Sequence, residues 1–121
     1  MIIAIYSFLA VLVGAFFGGM GRWALATKPG GVIGTFIANT IACIVVGWIA
    51  SQTVEKNVDV IIHVAAGTGF AGALSTWSTL AKELGEYIRV KHYRMFWGYL
   101  VLTLGGGIGG IMLGAYVGAV T

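Results

Sequence analysis

Residues Gly67–Leu80 read GTGFAGALSTWSTL, inside a stretch that is otherwise apolar enough to cross a membrane. Three glycines followed by four hydroxyl residues make a poor continuous helix. Glycine frees the backbone, and Ser and Thr compete for its hydrogen bonds. In a bilayer, irregular backbone persists only where it is buried in protein or lines a cavity. The stretch therefore predicts a third membrane helix broken at mid-depth, with a polar site at the break, an arrangement suited to ions.

The remaining sequence supports a membrane setting. Of 121 residues, 59% are hydrophobic and 9% charged, against roughly 25% charged in a soluble domain. Mean hydropathy is +0.96. Charge is absent from Met1–Gly21, Pro29–Val54 and Met95–Thr121, and from Val60–Ala81 apart from a neutral His63. Each run reaches the ~20 residues that a bilayer crossing needs. The expected fold is all-α, a single domain of four transmembrane helices at about residues 2–20, 32–52, 60–80 and 95–120. Loops around Arg22–Pro29, Glu55–Asp59 and Ala81–Arg94 are too short for a soluble catalytic domain. The single Cys43 lies mid-span and reads as a packing residue. The first run lacks the basic start of a signal peptide, and three further spans follow it.

Two patterns bear on assembly. Gly14 and Gly18, and then Gly106, Gly110, Gly114 and Gly118, recur every four residues among the chain's 20 glycines. Such rows let helix backbones approach closely, and a dimer is expected to bury them. Six of the seven Lys/Arg residues (Arg22, Lys28, Lys82, Arg89, Lys91 and Arg94) fall in loops 1 and 3, and Lys56 alone falls in loop 2. Basic loops stay cytoplasmic, so loops 1 and 3 are expected inside. The net charge of +3 then reflects lipid headgroups and not nucleic acid.

Few side chains are candidates for chemistry. Asn39 has two amide hydrogens to offer an anion, or an interhelical bond to make. Arg22 closes span 1, as an interface anchor or as a cation at a pore mouth. Ser75, Thr76, Ser78 and Thr79 offer hydroxyl donors, and carbonyls freed near Gly72 and Ser75 offer hard oxygens to a cation. The edge of Trp77 is electropositive, and Leu80 flanks the same hydroxyls. Tyr99 and Thr103 lie one turn apart, with Gly107 a turn beyond. Glu83 follows span 3 closely, as a solvated loop charge or a vestibule acid. No nucleophile sits beside a base, no Cys/His cluster occurs and no span carries a carboxylate, so an enzyme and a proton-coupled exporter are both disfavoured.

Four features in order resemble the Fluc family of fluoride channels, also called CrcB: Gly21-Arg22-Trp23; Gly34-Thr35-Phe36-Ile37-Ala38-Asn39; Gly69-Phe-Ala-Gly-Ala-Leu-Ser-Thr-Trp-Ser-Thr-Leu80; and the small-residue fourth span. The resemblance covers nearly the whole chain. It implies a multi-pass protein of the inner (plasma) membrane, an antiparallel dimer with two narrow fluoride pores, and a central sodium ion that is structural and not transported. Backbone carbonyls at Gly72 and Ser75 would hold that sodium. Asn39, Thr76, Trp77, Ser78, Thr79, Leu80, Tyr99 and Thr103 would line the fluoride pathway, and Arg22 and Glu83 its vestibule.

The departures from the family pattern are Trp77 and Leu80, at positions where the family usually has two phenylalanines, and Gly107, where a third hydroxyl would fall. Charge bias and altered pore wall together suit a heterodimer with a paralogue of opposite orientation. In that case this chain could be a non-conducting or half-active subunit. An antiparallel homodimer stays open, and a small multidrug-type exporter is the remote alternative.

Overall fold

The computed structural model describes the backbone of residues 1–56 and 59–121, and the side chains of these except residues 53–56 and 60. Among the described residues all regular structure is helical. Helix α1 is Ile2–Leu25 and α2 is Gly31–Lys56. Their combined apolar length is interrupted at Ala26–Gly30, where Lys28 takes φ −152° and ψ 117°. Pro29 forces that extension on the residue before it, and Gly30 and Gly31 complete the turn at φ 73° and 60°.

The third segment starts with a single turn, α3 (Val60–His63), and widens into a π-helical stretch, Val64–Ala71. It closes as a short turn, α4 (Gly72–Leu74). Ser75 (φ −72°, ψ 153°) and Thr76 (φ −145°, ψ 108°) are extended. Helix α5 (Trp77–Arg89) resumes beyond them, and α6 (Tyr93–Val120) follows a short turn. Helices α1, α2 and α6 have 24, 26 and 28 residues, or roughly 36–42 Å at the α-helical rise, enough for a bilayer core.

Packing uses glycine in place of bulk. A methyl group on Gly14 would overlap the Ala65 carbonyl, and one on Gly18 the Phe70 carbonyl. On the other side, Gly47 meets the Ile111 carbonyl and Gly114 meets that of Ile44. Contact partners rise in number together along both pairs: Gly14 with Ala65, Gly21 with Leu74; Thr40 with Gly110, Ser51 with Gly118. Helix α1 therefore runs parallel to the third segment, and α2 parallel to α6. The chain between Gln52 and Tyr93 must run back in the opposite sense, which the third segment does. Where the two pairs join, the core is small: Ala38, Ala42, Ala71 and Leu74, with Leu25, Val45 and Phe70 beside them. Large apolar side chains such as Phe8, Phe16, Ile108 and Met112 face outward, as in a chain whose solvent is lipid.

Three expectations need correction. The third loop, placed at Ala81–Arg94, is helix as far as Arg89, because Leu80, Leu84 and Tyr87 recur at helical spacing and turn inward. The second loop, expected at Glu55–Asp59, is shorter at its start, since α2 runs on through Lys56; residues 57–58 lie outside the described residues. The glycine rows do not wait for a dimer: Gly14, Gly18, Gly110, Gly114 and Gly118 are all filled by neighbouring helices of the same chain.

This packing predicts an asymmetry between glycines. Gly114→Ala should destabilise the protein by about 1–3 kcal/mol, the usual cost of overpacking. Gly105→Ala and Gly109→Ala meet open space and should be neutral or mildly stabilising. Thermal unfolding of the three variants in detergent checks this.

Candidate functional site

Where the third segment leaves the helix, its backbone groups need partners. In a continuous helix the Thr76 N–H would bond the Gly72 carbonyl. Here it donates to Asn39 Oδ1 at 2.7 Å. The Asn39 amide donates in return to the Thr76 carbonyl at 3.4 Å, which leaves its second N–H for another acceptor. The Thr76 hydroxyl accepts from the Thr79 N–H at 3.2 Å and so caps α5. As acceptor it keeps its own hydrogen to donate. The Ser75 hydroxyl points back to the Gly72 carbonyl at 3.4 Å.

Two cavities lie on either side of this joint. A cleft of about 480 Å³ is lined by polar groups from Arg22, Thr35, Thr76, Ser78, Thr79 and Glu83. A more apolar groove of about 360 Å³ is lined by Asn39, Thr76, Trp77, Leu80, Thr103 and Gly107, among others. Thr76 is 5% exposed and borders both. The break thus divides the hydroxyl cluster: Ser78 and Thr79 face the cleft, and Ser75 faces the groove. At the groove, the Thr103 hydroxyl oxygen is buried without a hydrogen-bond partner among the described residues. An unpaired buried hydroxyl costs about 1–3 kcal/mol, so it marks a place where a ligand or a further polar group would be stabilised.

Glu83 is not a solvated loop charge. It sits on α5, where Tyr99 donates to Oε1 at 2.8 Å and Thr35 to Oε2 at 3.1 Å. The carboxylate therefore ties α5 to α6 and α2 at the cleft wall. Thr35 is buried, and its one hydroxyl hydrogen is shared between Glu83 and the Gly31 carbonyl, which lies at 3.2 Å. Its role is missed by reading residues singly, because its partner lies 48 positions away; only its place four residues before Asn39, on the same helix face, signals it.

The remaining candidates divide. Tyr99 is turned to Glu83 and is 8% exposed, so it does not share the groove with Thr103. Leu80 is 4% exposed, while Trp77 is 79% exposed and open for contact. Gly72 and Ser75 line a third hollow of about 210 Å³ with Gly67, Ala71, Ala42 and Cys43.

Parallel glycine-packed helices, an interrupted third segment and a polar cleft meeting a groove are the features of a membrane transport protein. Residues 9–115 match the family model described as CrcB-like protein, Camphor Resistance (CrcB). The chain belongs to the CrcB family, whose members are membrane transporters and not enzymes. It is similar to a protein of Corynebacterium diphtheriae named fluoride-specific ion channel FluC 2, at 44% identity over 89% of this chain and 97% of that one. A Geobacillus kaustophilus protein named fluoride-specific ion channel FluC 1 is 32% identical over 93% and 98% of the two chains. A third, of the same name from Streptococcus pneumoniae serotype 4, is 38% identical over 93% of each.

The Asn39–Thr76 joint predicts a graded pair of variants. Asn39→Ala strands the Thr76 N–H and should cost about 1–3 kcal/mol. Asn39→Asp keeps the acceptor and loses the donor, and should retain most of that stability. Unfolding in detergent measures both.

Proposed function

We propose that the chain forms a fluoride-specific channel that lets cytoplasmic fluoride leave the cell passively, as four membrane spans with the third broken at mid-depth, paired in an antiparallel dimer. The observation that carries this reading is the joint at Asn39 and Thr76, where neutral donors meet between a polar cleft and a groove. The names of its relatives, fluoride-specific ion channels, support it.

Fluoride is small and strongly hydrated, so dehydration is costly and must be matched by close donors. The free N–H of Asn39, the hydroxyls of Thr76, Ser78, Thr79 and Thr103 and the edge of Trp77 supply donors without fixed charge. Neutral groups hold the ion weakly enough to release it. Arg22 raises anion concentration at the cleft mouth. Glu83 accepts from Thr35, which lines the same cleft, and from Tyr99 behind it. In a copy inserted as the charge rule favours, loops 1 and 3 lie on the cytoplasmic side, and an antiparallel partner turns its own loops 1 and 3 to the other side.

A structural sodium ion fits the broken segment. With the Thr76 N–H drawn to Asn39, the Gly72 carbonyl has, among the described residues, only the long Ser75 hydroxyl contact, and Ser75 is extended. Both residues line one hollow, and carbonyl oxygens are what a hard cation prefers. Two carbonyls from one chain fall short of the about six ligands such a cation takes, so a second copy would complete the set. The bound ion would supply positive potential at the dimer centre.

A second reading is favoured by the exposed Trp77, the buried Leu80 and the one-sided basic charge. In it this chain is one subunit of a heterodimer and its own pore wall is degenerate. Relatives carry the numbered names FluC 1 and FluC 2, which suits paired paralogues.

Efflux from potassium-loaded liposomes with valinomycin, holding the purified chain alone, tests the proposal. Fluoride loss without chloride loss is the expected result, and it removes the heterodimer requirement. Flux that appears only after a paralogue of opposite charge bias is added supports the second reading. No flux in either case overturns both. In a conducting sample, unchanged flux in Trp77→Ala would remove Trp77 from the pathway.

A further inference from the structure

Where α5 gives way to α6, three cationic side chains and a histidine fall within six positions. Arg89 ends α5, Lys91 takes the left-handed turn at φ 61°, His92 precedes α6 and Arg94 lies in its first turn. All four are exposed. Acidic cover nearby is thin. Both oxygens of Glu83 face inward to Tyr99 and Thr35. Glu86 pairs with Arg89, whose hydrogen bond and charge hold that carboxyl below the ordinary carboxylate range. Among the described residues this is the one ion pair, so Lys91 and Arg94 have no acidic partner there.

The same elbow exposes apolar surface. Ile88, Val90, Tyr93, Met95 and Trp97 all face outward, with Trp97 60% exposed and set edge-on to Phe96. Basic charge alone would suit any polyanion. Basic charge interleaved with exposed indole, phenol and aliphatic groups suits an anionic surface with an apolar interior beneath it.

We infer that the α5–α6 elbow is a binding surface for anionic phospholipid, with Lys91 and Arg94 against headgroup phosphates and Tyr93 and Trp97 in the layer below. The inference rests on the membrane reading above and adds a specific lipid partner to it. It also gives one end of each protomer a preference for an anionic leaflet. The cleft lined by Arg22, Gly31 and Glu83 lies at that end, since it joins the α1–α2 turn to α5.

The test is a titration of the purified full chain, in nonionic detergent, with phosphatidylglycerol or phosphatidylcholine, counting retained lipids by native mass spectrometry. The wild type should prefer phosphatidylglycerol, and about 0.5 M salt should remove most of the preference by screening. The variant Lys91→Gln/Arg94→Gln should bind phosphatidylglycerol about 25-fold more weakly, two cations each contributing about fivefold. Lys56→Gln, at the far end of α2, should bind as wild type. Equal retention of the two lipids by wild type, or a double variant that keeps the preference, overturns the inference. The salt arm needs no variant, so a double variant that fails to fold leaves the test intact. Fluoride efflux from liposomes of the same samples reads the channel separately: lost lipid preference with retained flux leaves the channel standing, and the converse leaves the lipid surface standing.

Discussion

The hydrogen bond from the Thr76 N–H to Asn39 Oδ1, 2.7 Å long, is what lets this chain interrupt a helix in an apolar setting. An unpaired backbone amide in lipid costs several kcal/mol, so a break needs a partner from elsewhere in the protein. Asn39 on α2 supplies it, and the consequences spread from there. Thr76 becomes extended and caps α5, α5 departs in a new direction, and the hydroxyls on either side of the break face different cavities. The carboxylate of Glu83 then fixes α5 from its other side through Tyr99 and Thr35.

Around that joint the helices are held by close approach and not by a large apolar core. The cluster buried where the two pairs join is three alanines and one leucine, and glycines line the closest helix contacts, while large apolar side chains such as Phe8, Trp23 and Ile108 point outward. Such an arrangement makes little sense in water, where outward apolar surface would drive aggregation. In lipid it is the expected order, because tight van der Waals contact and backbone hydrogen bonds take over from hydrophobic burial. The glycine rows thus stabilise the protomer itself, and any partner chain must use other surfaces. The open glycines of α6, Gly98, Gly105 and Gly109, lie on a face that this chain leaves uncovered.

Much of this was legible in the residues themselves. The charge-free runs mark apolar stretches in which the helices α1, α2 and α6 lie. The clash between glycine, hydroxyl residues and helix in Gly67–Leu80 marked where the third would fail. The charged stretch from Lys82 to Arg89 was harder, because its low hydropathy resembled a loop; its helical nature lay in the spacing of Leu80, Leu84 and Tyr87. Asn39 and Thr76 were both visible as polar residues in apolar spans. That they bond one another was not visible, since 37 positions separate them.

Local chemistry is what the sequence determined by itself: which segments are apolar enough for lipid, where the backbone is too permissive to stay helical, and which side chains can donate to an anion. Each follows from residue type and short-range spacing, on the scale of a helical turn. The tertiary structure decided which polar groups face each other. It paired Asn39 with Thr76, drew Tyr99 away from Thr103 to Glu83, and buried Leu80 while leaving Trp77 open. Those outcomes depend on how parallel helices approach through glycine contacts, and that approach is a property of surfaces distant in sequence and only a few ångströms apart in space.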